Sequence, residues 1–479
     1  MRIKEIRLKN YKKFKDEAFD LSRNIILLYG ENSSGKSSFL KAIAGAKQTF
    51  GPQNIYDAWA SQGDITDLGD YADFIHNHNT ELKFGIGITI SDETPSEQRF
   101  ADPFTLLKEY NSLAIDLEYD HNKAIESAKL YSITCTLSEN IKDHTDTGIK
   151  LCEATRFKTQ PTFSLQYTST AARKIQKIAE DYLLFEKNNA EKQYEQKTSI
   201  NIKDAFDVSL STPKKPTAIR FSPVDLKLNI FGRQLNSLKS AFKKIHYLGP
   251  LRMSPSRGYK KKLHELSVGT NGEQTPTVLY YMQQAFERGQ GKLRKETGHA
   301  QWERFEKWFG LIFKDCKIKC EKTGSTIKVN LCKGDRTDSI QDIGFGYSQI
   351  IPIIAQAAVM SPGETLIIEQ PELHLHPKAQ VEISKFIVAA KKHGINFIIE
   401  THSEHILKGL QLAISENRKK KSPQITNNEL GIYYFGNNSE ECYRELALDE
   451  WGEILGGWPK GFFDESLELS KKIFMNKNF

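Results

Sequence analysis

One octapeptide restricts the possible folds of this chain more than anything else in it. Gly30-Glu31-Asn32-Ser33-Ser34-Gly35-Lys36-Ser37 fits the pattern G-x-x-x-x-G-K-[ST]. The run IILLY at 25–29 before it is apolar throughout, as a fully buried strand must be, and the sequence after it reads as a helix. A strand feeding a glycine-rich turn that opens a helix aims several backbone N–H groups, and the positive end of the helix, at one point. That geometry suits a chain of phosphates. Gly30 and Gly35 let the backbone curl, and Asn32, Ser33, Ser34 and Ser38 belong to the turn and the helix start. Lys36 is placed to reach the β- and γ-phosphates, and the Ser37 hydroxyl to ligate Mg²⁺. With glycine near ~7% of residues, a chance match in a chain this long is an event of the order of a few per cent.

A phosphate loop of this kind needs a carboxylate on a neighbouring strand to hold the water shell of the metal. TLIIEQPELHLHP (365–377) supplies an apolar strand ending in Glu369, the expected metal-side carboxylate. The next residue is Gln370, an amide that can orient a water but cannot accept its proton. Either Glu372 acts as base, or turnover is slow and nucleotide state matters more than rate. INFIIETHSEHIL (395–407) is a second apolar strand with Thr401, His402 and Ser403 at its end. His402 there can hydrogen-bond a γ-phosphate and report its presence. SIQDIGFGYSQIIP (339–352) sets Gly344, Gly346, Ser348 and Gln349 at a helix entrance, suited to meet a γ-phosphate held by an opposite protomer. His374 and His376, two apart after a proline, fit a structural loop better than a metal pair.

The rest of the chain excludes more than it specifies. At 479 residues it predicts two or three domains. The excess of 67 Lys+Arg over 60 Asp+Glu gives a net charge of +7, which permits an acidic or nucleic-acid partner without requiring one. No apolar run approaches the ~20 residues needed to cross a bilayer, and Ile350–Met360 is interrupted by Pro352 and Gln356. No membrane partner is expected. The alternating N-terminus has no apolar signal-peptide core. Six cysteines, at 135, 152, 316, 320, 332 and 442, lack metal-ligand spacing and read as reduced, small apolar residues of a cytoplasmic protein. Strand alternation is expected at 81–91, 129–137 and 160–167, a charged helical run at 171–197, and a polar junction at 211–216.

These motifs carry a family resemblance. NYKKF followed by a strand and GENSSGKSS resembles the RecF/SMC-like branch of ABC ATPases. IEQPELHLHP, ETHSEH and IGFGYSQIIP are similar to the OLD-like group within it, the AAA15-type ATPases, as are DLGDYADFIHNH (67–78), YLGPLRMSPSRGY (247–259) and WPKGFFDE (458–465). The resemblance implies an α/β fold: an ABC-type P-loop head with a mixed sheet and helices, a helical/β insertion and a short C-terminal domain. The expected division is 1–104 as the N-terminal part of the head, 105–216 as insertion, 217–425 as the rest of the head, and 426–479 as a C-terminal subdomain. It further implies ATP and Mg²⁺ as cofactors, ATP hydrolysis, and a homodimer or higher homo-oligomer built on a head-to-tail nucleotide sandwich. In that sandwich Ser348 of one protomer faces the phosphate held by Lys36 of the other. Arg252 and Arg257 match recurrent arginines of the PLR-x-x-P-x-R stretch, where ordinary salt bridges and a role at the dimer interface or γ-phosphate stand level.

OLD nucleases carry a TOPRIM metal-nuclease domain after the ATPase. No Asp-x-Asp pair follows His402 here, so no nuclease active site in cis is expected. Stand-alone ATPases of this group, such as the PARIS and Septu subunits, occur in bacterial anti-phage systems beside a separate effector. The resemblance therefore implies an oligomeric sensor and scaffold that controls a nuclease or toxin and answers a phage-derived trigger. The alternative is a DNA-binding repair or maintenance ATPase, for which the basic runs KKIHYLGPLR (243–252), RGYKKKLHE (257–265) and ENRKKKSP (416–423) speak. A transporter subunit is disfavoured by the long insertion and the signature loop.

Overall fold

The computed structural model describes residues 1–51, 58–91, 112–138, 149–156, 163–168, 198–200, 223–252, 254–260, 266–288, 297–419, 424–436 and 442–459, with single positions at 469, 471, 472 and 475. The helical run expected at 171–197 and the junction at 211–216 lie outside the described residues, as do parts of the basic runs at 257–265 and 416–423 and of the WPKGFFDE motif.

The chain begins with β1 (Arg2–Tyr11), β2 (Phe14–Asp20), β3 (Ile25–Gly30), α1 (Lys36–Thr49), α2 (Tyr71–Phe74) and β4 (Phe84–Ser91). Then follow β5 (Ser112–Asn122), β6 (Ser127–Ser138), β7 (Ile149–Arg156), β8 (Phe163–Tyr167), β9 (Thr198–Ile200), α3 (Pro223–Lys243), β10 (Ile245–Leu248) and β11 (Tyr259–Lys260). The middle continues as α4 (Thr275–Arg288), α5 (Thr297–Ile312), β12 (Cys316–Thr323), β13 (Thr326–Lys333), β14 (Arg336–Ser339) and α6 (Phe345–Val359). Last come β15 (Thr365–Glu369), α7 (Pro377–Lys392), β16 (Asn396–Glu400), α8 (Glu404–Ser415), β17 (Leu430–Phe435) and β18 (Tyr443–Glu445).

These elements form two compact units. The first comprises Met1–Ser22 and Ser38–Ile245. Its 8-stranded sheet runs β2-β1-β4-β5-β6-β7-β8-β9, antiparallel throughout. Alternation along the strands buries one face, with Ile6 and Leu8 of β1 and Leu113, Ile115 and Leu117 of β5 inside. An aromatic cluster of Tyr11, Trp59, Phe74, Phe84 and Tyr119 closes that core. The described part of 105–216 is mostly strand and continues the sheet from β4.

The second unit comprises Arg23–Ser37 and His246–Phe479. Its 6-stranded sheet runs β10-β15-β16-β3-β17-β18. β15, β16, β3 and β17 are parallel neighbours. Continuous apolar sequences (LIIE, FIIE, IILLY, GIYYF) make strands that can be buried on both faces, as a parallel sheet requires, and β3, β16 and β17 are buried along their whole length. α6 is apolar nearly all round, and its residues Ser348–Ala358 are buried, with Pro352 inside the helix. α5 packs against α4, α6 and α7, and α4 and α5 also cover β12 of a smaller antiparallel sheet.

Parallel pairing has one decisive result. Register places Glu369 opposite Glu400 and Glu400 opposite Leu28, so β15, β16 and β3 end together at one edge. That edge, beyond the carboxyl ends of the strands, is where α/β sheets bind ligands. Gly30 closes β3 with φ 140°, and a Cβ there would lie 2.1 Å from the carbonyl oxygen of Phe435 on β17. Gly30→Ala is expected to lower unfolding free energy by about 3 kcal/mol or more through strain and overlap; denaturant titration showing wild-type stability would remove this account of the turn.

Candidate nucleotide site

The phosphate loop bridges β3 and α1. Ser33 (φ 60°) and Gly35 (φ 105°) supply left-handed turns that curl it. Lys36 is buried, and its Nζ donates to the carbonyls of Gly30 at 2.9 Å and Glu31 at 2.7 Å. The loop is thus wrapped around its own ammonium group. Asn32 and Ser33 are exposed at the rim, Ser34 is buried, and Ser37 and Ser38 sit in the first turn of α1.

The two carboxylates at the strand ends have different partners. Ser37 Oγ is held by Glu400, at 2.9 and 3.0 Å to its two oxygens. Glu369 accepts a hydrogen bond from the Tyr247 hydroxyl instead. Burial, reinforced by the charge of Glu369, pushes the Glu400 carboxyl up to about 7, against the pull of Ser37 and Lys36. Burial and the Glu369 charge also push the Tyr247 phenol far up, which keeps it a donor. Sequence reading passed over Glu400, although NFIIE ends in an acid just as TLIIE does.

The turn after β15 is joined to the end of β16. Gln370 takes φ 45°, and its N–H donates to the Glu400 carbonyl at 2.7 Å. Glu372 accepts from the Thr401 hydroxyl and from the His402 N–H, each at 2.7 Å. Burial raises the Glu372 carboxyl, while those hydrogen bonds and Arg252 oppose the rise. Its oxygens therefore anchor the segment that follows β16. Burial first, then the Lys36 charge, lowers the His402 imidazole and favours its neutral form. The Tyr29 hydroxyl, one residue before the loop, donates to the Ser403 carbonyl at 2.8 Å, and the Trp458 ring stands edge-on to Tyr29.

The helix entrance turns its serine inward in the single chain. Ser348 is 6% exposed and its Oγ donates to the Phe345 carbonyl at 2.7 Å, so Gly344 and Phe345 form the surface there. Gly346 faces the loop after β15, where a Cβ would meet the Leu375 side chain at 2.7 Å. Arg252 is buried against backbone carbonyls, whereas Arg257 is exposed and paired with Asp342 at 3.3 Å. His376 caps α7, and the His374 ring lies beside Phe345.

A family profile described as "AAA ATPase domain" (AAA_15) matches residues 1–407. The chain belongs to the AAA_15 family. Residues 425–473 match a second profile, "Protein of unknown function (DUF3696)". Among curated proteins there is no match to the chain. Among solved structures, the SMC head domain from Thermotoga maritima is similar over 94% of this chain and 100% of its own, at 12% identity and a TM-score of 0.38. An Smc head bound to the C-winged helix domain of ScpA matches over 94% and 99%, at 10% identity and a TM-score of 0.45. An Smc head with an extended coiled coil from Pyrococcus furiosus, bound to the C-terminal domain of ScpA, matches over 98% and 99%, at 12% identity and a TM-score of 0.40.

As an AAA_15 member this is an ATPase-family protein, and its fold is mixed α/β. No helix among its described residues is long and apolar enough to cross a membrane. The donors at the strand ends, a serine hydroxyl and two carboxylates, are hard oxygens of the type Mg²⁺ selects. Among the described residues no three His, Cys, Asp or Glu converge on one metal position. A magnesium ion here would share phosphate oxygens and water, as it does in other phosphate sites.

The raised Glu400 carboxyl makes the ion-free AAA_15 head pH-sensitive. Between its ordinary value of 4.5 and about 7, the folded chain holds a proton that the unfolded chain releases. Its contribution is complete below 4.5 and is lost as pH rises toward 7. Without Mg²⁺, Glu400→Gln is expected to melt a few degrees higher than wild type at pH 8, the difference shrinking as pH is lowered. Parallel melting curves across that range would overturn it.

Proposed function

We propose that this protein is an ATP hydrolase that works slowly, as a nucleotide-controlled two-headed switch. The observation that carries the reading is the convergence of Lys36, Ser37, Glu369, Glu400 and His402 at the aligned ends of β3, β15 and β16. Lys36 exchanges the Gly30 and Glu31 carbonyls for phosphate oxygens. Ser37 releases Glu400 to become a metal ligand, and Glu369 and Glu400 hold the water shell. Mg²⁺, when bound, neutralises charge on the β- and γ-phosphates. Neutral His402 donates toward the γ-phosphate, its position set by Glu372 through the His402 N–H.

Slow turnover rests on the residue after the acidic strand. Gln370 orients the attacking water but takes no proton, and Glu372 is committed to Thr401 and His402. A head that hydrolyses slowly remains closed for long periods, which suits signalling by nucleotide state. The exposed entrance of α6 at Gly344 and Phe345 provides the N–H groups that a partner protomer's γ-phosphate would meet, with Ser348 rotating outward on closure. In line with the stand-alone ATPases it resembles, the closed homo-oligomer controls a separate nuclease or toxin in anti-phage defence. A repair ATPase acting on DNA is the competing reading, and a steep salt dependence of DNA affinity would favour it.

Lys36→Ala is expected to abolish detectable ATP binding and turnover, measured by fluorescent-nucleotide titration and phosphate release. Unchanged hydrolysis would sink the phosphate-loop assignment. Ser348→Arg should retain ATP binding yet lose ATP-driven oligomer closure in light scattering; an unaffected assembly would argue against the sandwich.

A further inference from the structure

Arg252 stands at the centre of the site without touching the phosphate loop. Its Nη2 donates to the Glu369 carbonyl at 2.6 Å and its Nη1 to the Gln370 carbonyl at 3.3 Å. The same Nη1 reaches Gln349 Oε1 on α6 at 3.5 Å. The two carbonyls flank the bond at which Gln370 adopts φ 45°. A left-handed conformation in a residue with a long side chain is uphill by of order 1–3 kcal/mol, and persists only where its surroundings over-determine it. The planar guanidinium fork is suited to over-determine it, since it holds its acceptors in one fixed planar geometry, which a freely rotating ammonium group does not.

Stability alone does not explain this arginine. It is 5% exposed, and its Nε is buried with no partner among the described residues. Burying a cation with one donor unmatched is unfavourable relative to an apolar side chain of similar volume. What the arrangement achieves is registration. The backbone carbonyls of Glu369 and Gln370 and the Gln349 side chain of the helix that begins at Phe345 are fastened to one rigid group.

We propose that Arg252 is a positioning residue that locks the turn after the acidic strand to α6, so that the water- and metal-holding groups and the helix entrance move as one body. The inference rests on the proposed nucleotide switch and adds to it. Each head's own hydrolytic turn is mechanically tied to the helix it offers to the partner's nucleotide, and this links the two sites of a dimer. Arg252 contacts neither phosphate nor water in this role and acts through the backbone of Glu369 and Gln370.

The test is a double-mutant cycle on Arg252→Lys and Gln349→Ala, read by nucleotide affinity, kcat, the Mg²⁺ concentration for half-maximal rate, and melting temperature. Lysine keeps the charge but loses the fork; Gln349→Ala removes only the tie to α6 and is the milder variant should Arg252→Lys fold poorly. Expected for Arg252→Lys is nucleotide affinity within about twofold of wild type, kcat down about tenfold or more, and a raised Mg²⁺ requirement. Gln349→Ala is expected to lower kcat less, to reduce cooperativity in ATP concentration, and to add nothing in the double variant, because coupled residues are non-additive. Wild-type kcat in Arg252→Lys, or fully additive losses in the double variant, would overturn the locking role. Equal losses of affinity and kcat would also overturn it, pointing to a direct phosphate contact. If the wild-type protein binds no ATP, the nucleotide-switch reading itself fails, a result separable from all of these.

Discussion

The in-register parallel pairing of β15, β16 and β3 is the constraint on which the rest depends. Because neighbouring strands advance together, the residues that end them arrive at one level, and Glu369, Glu400 and the start of the phosphate loop meet without any long side chain having to reach. β3 and β16 are buried along their whole length, and the glutamates that end β15 and β16 oppose a slip that would draw a charge into that core. The site is thus positioned by core packing, and its polar groups are consequences of where the core stops.

Those polar groups are costly in themselves. Two carboxylates face one another at adjacent strand ends, with Glu369 among the causes that raise the Glu400 carboxyl. Lys36 and Arg252 are buried nearby, and the Gln370 turn is left-handed. A sequence selected for stability alone would place none of these here. The apolar cluster beneath, from Ile25 and Leu27 through Ile350–Ala358 to Ile399 and Ile432, offsets them and leaves the edge free to be reactive.

Much of this was legible in the sequence, and the exceptions have physical causes. The phosphate loop could be read because its backbone geometry admits few residues: Gly30 has no room for a side chain and Gly35 takes a positive φ. The acidic strand and switch segment could be read because a charged residue at the end of an apolar run has few structural reasons to be there. Glu400 was missed although it obeys the same grammar, because its partnership with Ser37 spans sequence-distant strands and depends on β16 lying between β15 and β3. The order of strands in a sheet leaves no local trace. The inward turn of Ser348 was likewise invisible, since helix spacing gives a residue's neighbours but not which way a hydroxyl bonds. Tyr247 and Arg252 entered the site from a segment whose sequence showed only a recurrent arginine pattern.

The second unit takes its central strand from residues 23–37, a short early stretch flanked on both sides by the first unit. Ser37 and its carboxylate partner are 363 positions apart. During synthesis at roughly 5–20 residues per second, IILLY leaves the ribosome roughly 20–70 s before the strand that must flank it has been made. Throughout that interval an apolar strand with two open edges has no native neighbour. Assembly of this head is therefore a late event in the life of the nascent chain, and one of its most apolar strands is made long before the neighbours that cover it.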